Sequence, residues 1–130
     1  MARTKGASGE REVCTAIALL TGWEVKRRVR NHAGDSDLVG VPGWAVEVKR
    51  HATASRGSVR AWWAQAVEQS NRTAEIPVLF WRADRDEWRA VWPVSLSVGA
   101  AGHWHEYSMT VEGTVAAWAA VARDEVKIEA

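Results

Sequence analysis

The chain predicts an α/β fold, a mixed central β-sheet flanked by helices in the order helix, three strands, helix, two strands and a C-terminal helix. Three observations predict it. Apolar residues recur at helical spacing in two stretches, Val13, Cys14, Ile17 and Leu20, then Trp63, Ala66, Val67 and Ser70. Between and after them the runs alternate or are continuously apolar and β-branched, and Gly, Pro and Asp punctuate the joins. With 130 residues, nearly half of them hydrophobic, there is chain enough for one domain with its own core over 1–130, in which 93–130 form an extension ending in the last helix.

The first helix is expected to start at Ser8, a candidate N-cap, and to run to about Leu20 with Gly22 as its stop. Glu10 lies three and four residues before Val13 and Cys14 and so belongs to the apolar stripe, whereas Arg11 and Glu12 do not. A carboxylate aimed inward needs a partner; the alternative is a first-turn acid favoured by the helix dipole, worth roughly 0.3–1 kcal/mol. Residues Trp23 to Val29 alternate as a strand that puts Arg27 on the face of Trp23, Val25 and Val29. An arginine on an apolar face is costly unless it is paired or opens into a cleft, which marks Arg27 for a carboxylate or a phosphate. Arg28 and Arg30 fall on the solvated side, and His32, with no companion at ligand spacing, reads as a loop residue.

The stretch from Gly34 to Arg50 carries the chemistry. Leu38–Val41 and Trp44–Val48 flank a Pro42-Gly43 turn, a hairpin signal. Residues two apart on a strand share a face, so Glu47 and Lys49 project together beside Ala45, opposite to Trp44, Val46 and Val48. With a plain two-residue loop Asp37 would lie opposite Val48 and point away from Glu47. A site shared by Asp37 and Glu47 therefore requires a longer loop or a bulge, with Gly43 suited to a positive φ. Two converging carboxylates repel unless a cation joins them, and oxygen ligands of this kind suit Mg²⁺ or Mn²⁺. A neighbouring lysine then steadies a water or a phosphate oxygen, a workable centre for phosphodiester hydrolysis; as acids and lysines also end many exposed strands, the motif alone is common.

Beyond Lys49, residues 50–57 read as a polar loop at the rim of the site, within reach of DNA. Ser58 is the expected cap of a helix over Val59–Ser70, with Gln65 at its surface margin. Ile76–Trp81 and Trp88–Trp92 are strands joined by the charged turn Asp84–Glu87, and Pro93 ends the second or puts it at an edge. Residues 94–108 read as irregular with room for a short strand; His103 and His105, two apart there, are a weak metal signal. Thr114–Glu125 is the terminal helix. Cys14 has no partner for a disulfide and reads as a core residue in a reducing compartment, and the tryptophans read as core or interface anchors.

No run approaches the roughly 20 apolar residues of a membrane span, and the basic, polar start lacks a signal-peptide core, so a soluble cytoplasmic protein of a bacterium or phage-infected host is expected. The net charge of +1 conceals +5 in residues 1–60 and −4 in residues 61–130. The half with the acid–lysine run is thus the basic half, which suits a polyanionic substrate.

Taken together, Lys5-Gly6, Glu10-Arg11-Glu12, Gly22 to Arg27, Asp37-Leu-Val-Gly40, Glu47-Val-Lys49 and Ile76-Pro-Val-Leu79 with a later Trp88 resemble, in order and spacing, the archaeal-type Holliday junction resolvases of the PD-(D/E)xK nuclease superfamily. The resemblance covers about residues 5–92. It implies a restriction-endonuclease-like sheet, Mg²⁺-dependent cleavage of branched DNA with Mn²⁺ as a substitute, and a homodimer that cuts two strands symmetrically, with no membrane and no small-molecule cofactor. It assigns Glu10, Asp37 and Glu47 to the metal, Lys49 to catalysis, and Arg11 and Arg27 to the phosphate backbone, and the Val48 carbonyl is expected to join the three acids on the ion. Lys5, Arg28, Arg50 and Arg56 complete the expected DNA-binding set. Ser36 stands where the family pattern has proline, and Asp35 adds a nearby acid. The rival expectations are the same core acting on flap, restriction-like or repair substrates, and a non-catalytic DNA-binding domain of this fold. The Ala-, Arg-, Val- and Trp-rich composition suits a phage or host of high GC content.

Overall fold

A computed structural model describes residues 2–29, 36–96 and 106–129, and the side chains of 6–29, 36–96 and 106–124. Arg30, His32, Asp35, His103 and His105 lie outside it, as does the Lys5 side chain. In chain order the elements are α1 (Ala2–Thr21), β1 (Lys26–Arg27), β2 (Leu38–Val39), β3 (Trp44–His51), α2 (Arg56–Thr73), β4 (Ile76–Ala83), β5 (Arg89–Pro93), a 3-10 turn at Tyr107–Met109, β6 (Thr110–Thr114) and α3 (Val115–Glu129).

The main sheet has the order β3-β4-β5-β6 and is mixed, as expected. β3 and β4 are parallel, from Trp44↔Ile76 to His51↔Ala83, and the other two pairs are antiparallel. α2 makes the crossover that a parallel pair requires. Trp44, Val46 and Val48 face a core shared with Val13 and Ile17 of α1 and Trp118, Ala119 and Ala122 of α3. Trp118 is fully buried and meets Trp44 and Phe80 edge-on, with ring centroids 5.5 and 5.0 Å away. The opposite face packs Leu79 and Val91 against Val59, Trp63, Ala66 and Val67 of α2. β3 is one edge of the main sheet and β6 the other.

Several boundaries differ from expectation for identifiable reasons. α1 begins at Ala2, so Ser8 is an interior residue whose hydroxyl accepts from Arg50 Nη1 at 3.0 Å rather than capping. Gly22 does end the helix, at φ +79°. Only Lys26 and Arg27 of the stretch to Val29 form a ladder, because β2 offers just two partners; Val29 is 89% exposed, not inward. The Pro42-Gly43 turn closes through the Trp44 N–H donating to the Val41 carbonyl at 3.2 Å, with Gly43 at φ +82°, yet β2 pairs with β1 and forms no hairpin ladder with β3. The chain is diverted at Gly40, where φ is +92° and a Cβ would overlap the Glu24 carbonyl. α2 starts at Arg56 under a Ser55 cap, which accepts from the Ser58 N–H at 3.1 Å, so the expected loop shrinks to residues 52–55. β6 was not expected as a strand, and with it β5 becomes an interior strand that Pro93 merely ends. Among the described residues no helix is long and apolar enough to cross a membrane.

Candidate functional site

The free edge of β3 is where the expected residues meet. Asp37, just before β2, donates its N–H to the Val46 carbonyl at 2.8 Å, and its Oδ2 accepts from the Val48 N–H at 2.8 Å. Main chain and side chain of Asp37 thus bracket Glu47. The irregularity that a shared site demands is present, seated at Gly40 rather than in a longer loop. Because the N–H and C=O of one strand residue project to the same side, the Val48 carbonyl also faces this edge.

Glu47 is 4% exposed. Its Oε2 lies 3.2 Å from Lys49 Nζ, while Oε1 is buried with no hydrogen-bond partner. An unsatisfied buried polar atom costs about 1–3 kcal/mol, more when charged, so its retention calls for an explanation beyond packing. Asp37 shares the strain. Burial first, then the Glu47 charge and more weakly Glu10, push its carboxyl up to about 8, against the opposing pull of the Val48 N–H and Lys49. Glu10, on α1, is itself held by Arg27 Nε at 3.0 Å. The two inward residues read separately from the two stripes are therefore each other's partners, acid to guanidinium. Among the described residues no three His, Cys, Asp or Glu side chains stand grouped to hold an ion. The oxygens that could hold a small hard cation at this edge are those of Asp37, Glu47 and the Val48 carbonyl, with the Glu10 charge also felt at Asp37 and Lys49 beside Glu47.

The basic residues divide. Arg11 is exposed on α1. Arg28 donates from Nε to the Ser36 carbonyl at 2.8 Å and from Nη2 to Ser36 Oγ at 3.2 Å, which anchors the segment leading into Asp37. Arg50 is turned inward, 3.2 Å from Glu12 Oε2 and 3.5 Å from Asp84 Oδ1. Arg56 is exposed and donates to the Tyr107 hydroxyl at 3.1 Å. Arg28 and Arg50 are thus tied within the chain rather than presented to a ligand.

Glu12 departs most from the reading of the stripe. It accepts from Trp88 Nε1 at 2.9 Å and from Arg50 at 3.2 Å, and lies 3.3 Å from Arg82 Nε. α1 has a second packed face, marked by Gly9 three residues earlier, where a Cβ would come within 3.2 Å of Arg50 Cβ and 3.3 Å of the Trp88 ring. That glycine was the available signal: a small residue inside a helix, in phase with an acid.

The family model for phage putative PDDEXK endonucleases matches residues 1–120. Among solved structures, the Holliday junction resolvase Hjc of the archaeal hyperthermophile Archaeoglobus fulgidus is similar at 22% identity and a TM-score of 0.47, over 66% of this chain and 70% of that one. No curated protein matches.

Proposed function

The chain belongs to the phage putative PDDEXK endonuclease family, and on that premise we propose that it is a metal-dependent endodeoxyribonuclease that resolves four-way DNA junctions by paired symmetric cuts, acting as a homodimer. The observation that carries the reading is the Glu47 carboxylate, 4% exposed, with one oxygen on Lys49 and the other unpartnered beside a second acid, Asp37, whose carboxyl burial and the Glu47 charge push up. A divalent cation fits this arrangement: it would give Glu47 Oε1 a partner and offset the burial and the Glu47 repulsion that together raise Asp37. Oxygen donors alone favour Mg²⁺, with Mn²⁺ as a substitute.

Asp37, Glu47 and the Val48 carbonyl would hold the ion, with Glu10 as a further ligand once Arg27 shifts to a DNA phosphate. When bound, the ion polarises the scissile phosphate and lowers the pKa of its water. Lys49, kept in place by Glu47, orients the attacking water or neutralises charge gathering on the phosphoryl oxygens. Arg11 and Arg56 meet the backbone, and Arg28 fixes Asp37 through Ser36. The four-way substrate is supported by the motif order from Lys5 to Trp88, and two cuts of matched polarity require two copies of the centre.

The test is cleavage of a labelled immobile four-way junction and a matched linear duplex with Mg²⁺, with EDTA, and with Glu47→Ala. Paired cuts confined to the junction, lost in EDTA and in the variant while binding persists, are the expected result. Cutting of both substrates alike would keep the metal nuclease and remove the junction, and absence of cutting by active-folded protein would leave a DNA-binding domain.

A further inference from the structure

Next to the Glu47–Lys49 pair lies an aromatic group that the nuclease reading does not use. Along β3, Glu47, Lys49 and His51 alternate onto one face, and in the parallel register Lys49 stands beside Trp81 of β4. His51 is exposed and stacks on Trp62 of α2, with ring centroids 4.8 Å and planes 17° apart. Trp62 meets Trp81 at 6.4 Å and is half-buried, packed on the α2 core. The short return through residues 52–55 is what brings the second turn of α2 back against the end of β3. His51 contributes nothing to either buried core, so this ring is held flat at the surface.

Resting on the proposed function, we propose that His51 and Trp62 form a stacking platform for one extruded nucleobase, that of a nucleotide adjoining the scissile phosphate, and that the platform sets the preference for DNA in which a branch point interrupts base stacking. Positions two apart on a strand are roughly 7 Å apart. A base lying on His51 therefore belongs to the nucleotide next to a phosphate held at Lys49. Every base has a π-face, so the contact is indifferent to sequence, as a branch-reading enzyme requires. One such stack is worth roughly 5- to 150-fold in affinity. Drawing a base out of intact duplex costs a comparable factor, so the platform yields little on linear DNA; a base at an open branch point has already lost a stacking neighbour, so its extrusion costs less and the platform yields its larger gain there.

The experiment compares kcat/KM on a four-way junction, a flapped duplex and a matched linear duplex for wild type, Trp62→Ala, Trp62→Phe and His51→Ala. In parallel, 5-iododeoxyuridine placed at each position around the cut is photo-crosslinked to Glu47→Ala protein. The expected result is a loss of about tenfold for Trp62→Ala on branched substrates with little change on duplex, recovery in Trp62→Phe, and a crosslink at Trp62 or His51 from one position beside the cut. The exposed His51→Ala variant serves if Trp62→Ala does not fold. Equal effects on all three substrates, or no effect with crosslinks elsewhere, would overturn the platform while leaving the nuclease intact. Failure of wild type to cut any substrate would overturn the nuclease reading and the platform with it.

Discussion

Asp37 and Glu47 carry opposite consequences for stability and for activity. The Asp37 carboxyl sits at about 8, above its ordinary 3.8. A group that holds its proton more tightly when folded stabilises the fold fully below the unfolded value and loses that contribution as pH rises through the folded one. In EDTA the urea midpoint should therefore fall between pH 4 and pH 8, and Asp37→Asn should flatten that fall; a wild-type midpoint that rises over this range would contradict the buried, repelled carboxyl. Glu47→Gln should leave metal-free stability unchanged or higher, since it removes a charge with an unpartnered buried oxygen. Its cleavage rate should drop by about 10²–10³-fold, the scale for losing one charge-stabilising group from a reacting centre. The shared face of Glu47 and Lys49 was legible in the sequence because strand alternation fixes it, whereas Asp37 was legible only as a condition, since alternation through a plain loop turns it away from Glu47. Arg50 was not, since a basic residue after a strand looks alike whether its partner is a phosphate or, as here, Glu12 and Asp84 from distant parts of the chain.

Elements bring these residues together, and two glycines in the β2–β3 connection separate local strain from positioning. Gly43 has φ +82° with open space around it, whereas Gly40 has φ +92° and the Glu24 carbonyl where a Cβ would stand. Gly43→Ala should cost about 1–2 kcal/mol, the left-handed penalty alone. Gly40→Ala should cost more and should also lower cleavage, because the shift moves Asp37 off the Val48 N–H; urea melts and single-turnover rates on both variants would show whether stability and activity part as expected. Glu12→Ala should cost about 1–2 kcal/mol, discounted for its partial exposure, by leaving Arg82 without its acid, Trp88 Nε1 without its acceptor and Arg50 with Asp84 alone. The helices, β3, β4 and β5 were legible from periodicity and turn residues. The ladder between β1 and β2, and β6, were not: Thr110–Thr114 carries Thr, Glu and Gly with a single Val, too little pattern to announce a strand whose pairing with β5 is fixed by tertiary contact.

At the scale of the whole molecule, the basic half is less available to a polyanion than its charge suggests. Of the six basic residues expected to bind DNA, the Lys5 side chain lies outside the described residues, and Arg27, Arg28 and Arg50 are held in the free protein by Glu10, Ser36 and the Glu12–Asp84 pair. Arg11 and Arg56 are exposed, and Lys49 is one-quarter exposed beside Glu47. Four phosphate contacts per protomer, from Arg11, Arg56, Lys49 and the Arg27 that moves off Glu10 when DNA binds, give a slope of log K against log salt of roughly −4, and two protomers on one junction roughly −7, from the release of about 0.9 counterion per contact. The slope thus reads the number of copies engaged as well as the charge. Titration of a labelled junction with Glu47→Ala protein between low and physiological salt should give the steeper value, and a half-length duplex arm the shallower one. A junction slope that matches the single arm would remove the dimer, and a slope near zero on both would remove the phosphate-led mode of binding. Arg11→Ala should lower the junction slope by about two, one contact from each copy, whereas Arg50→Ala should leave it unchanged and appear instead as a loss of stability, since its guanidinium serves α1 rather than DNA.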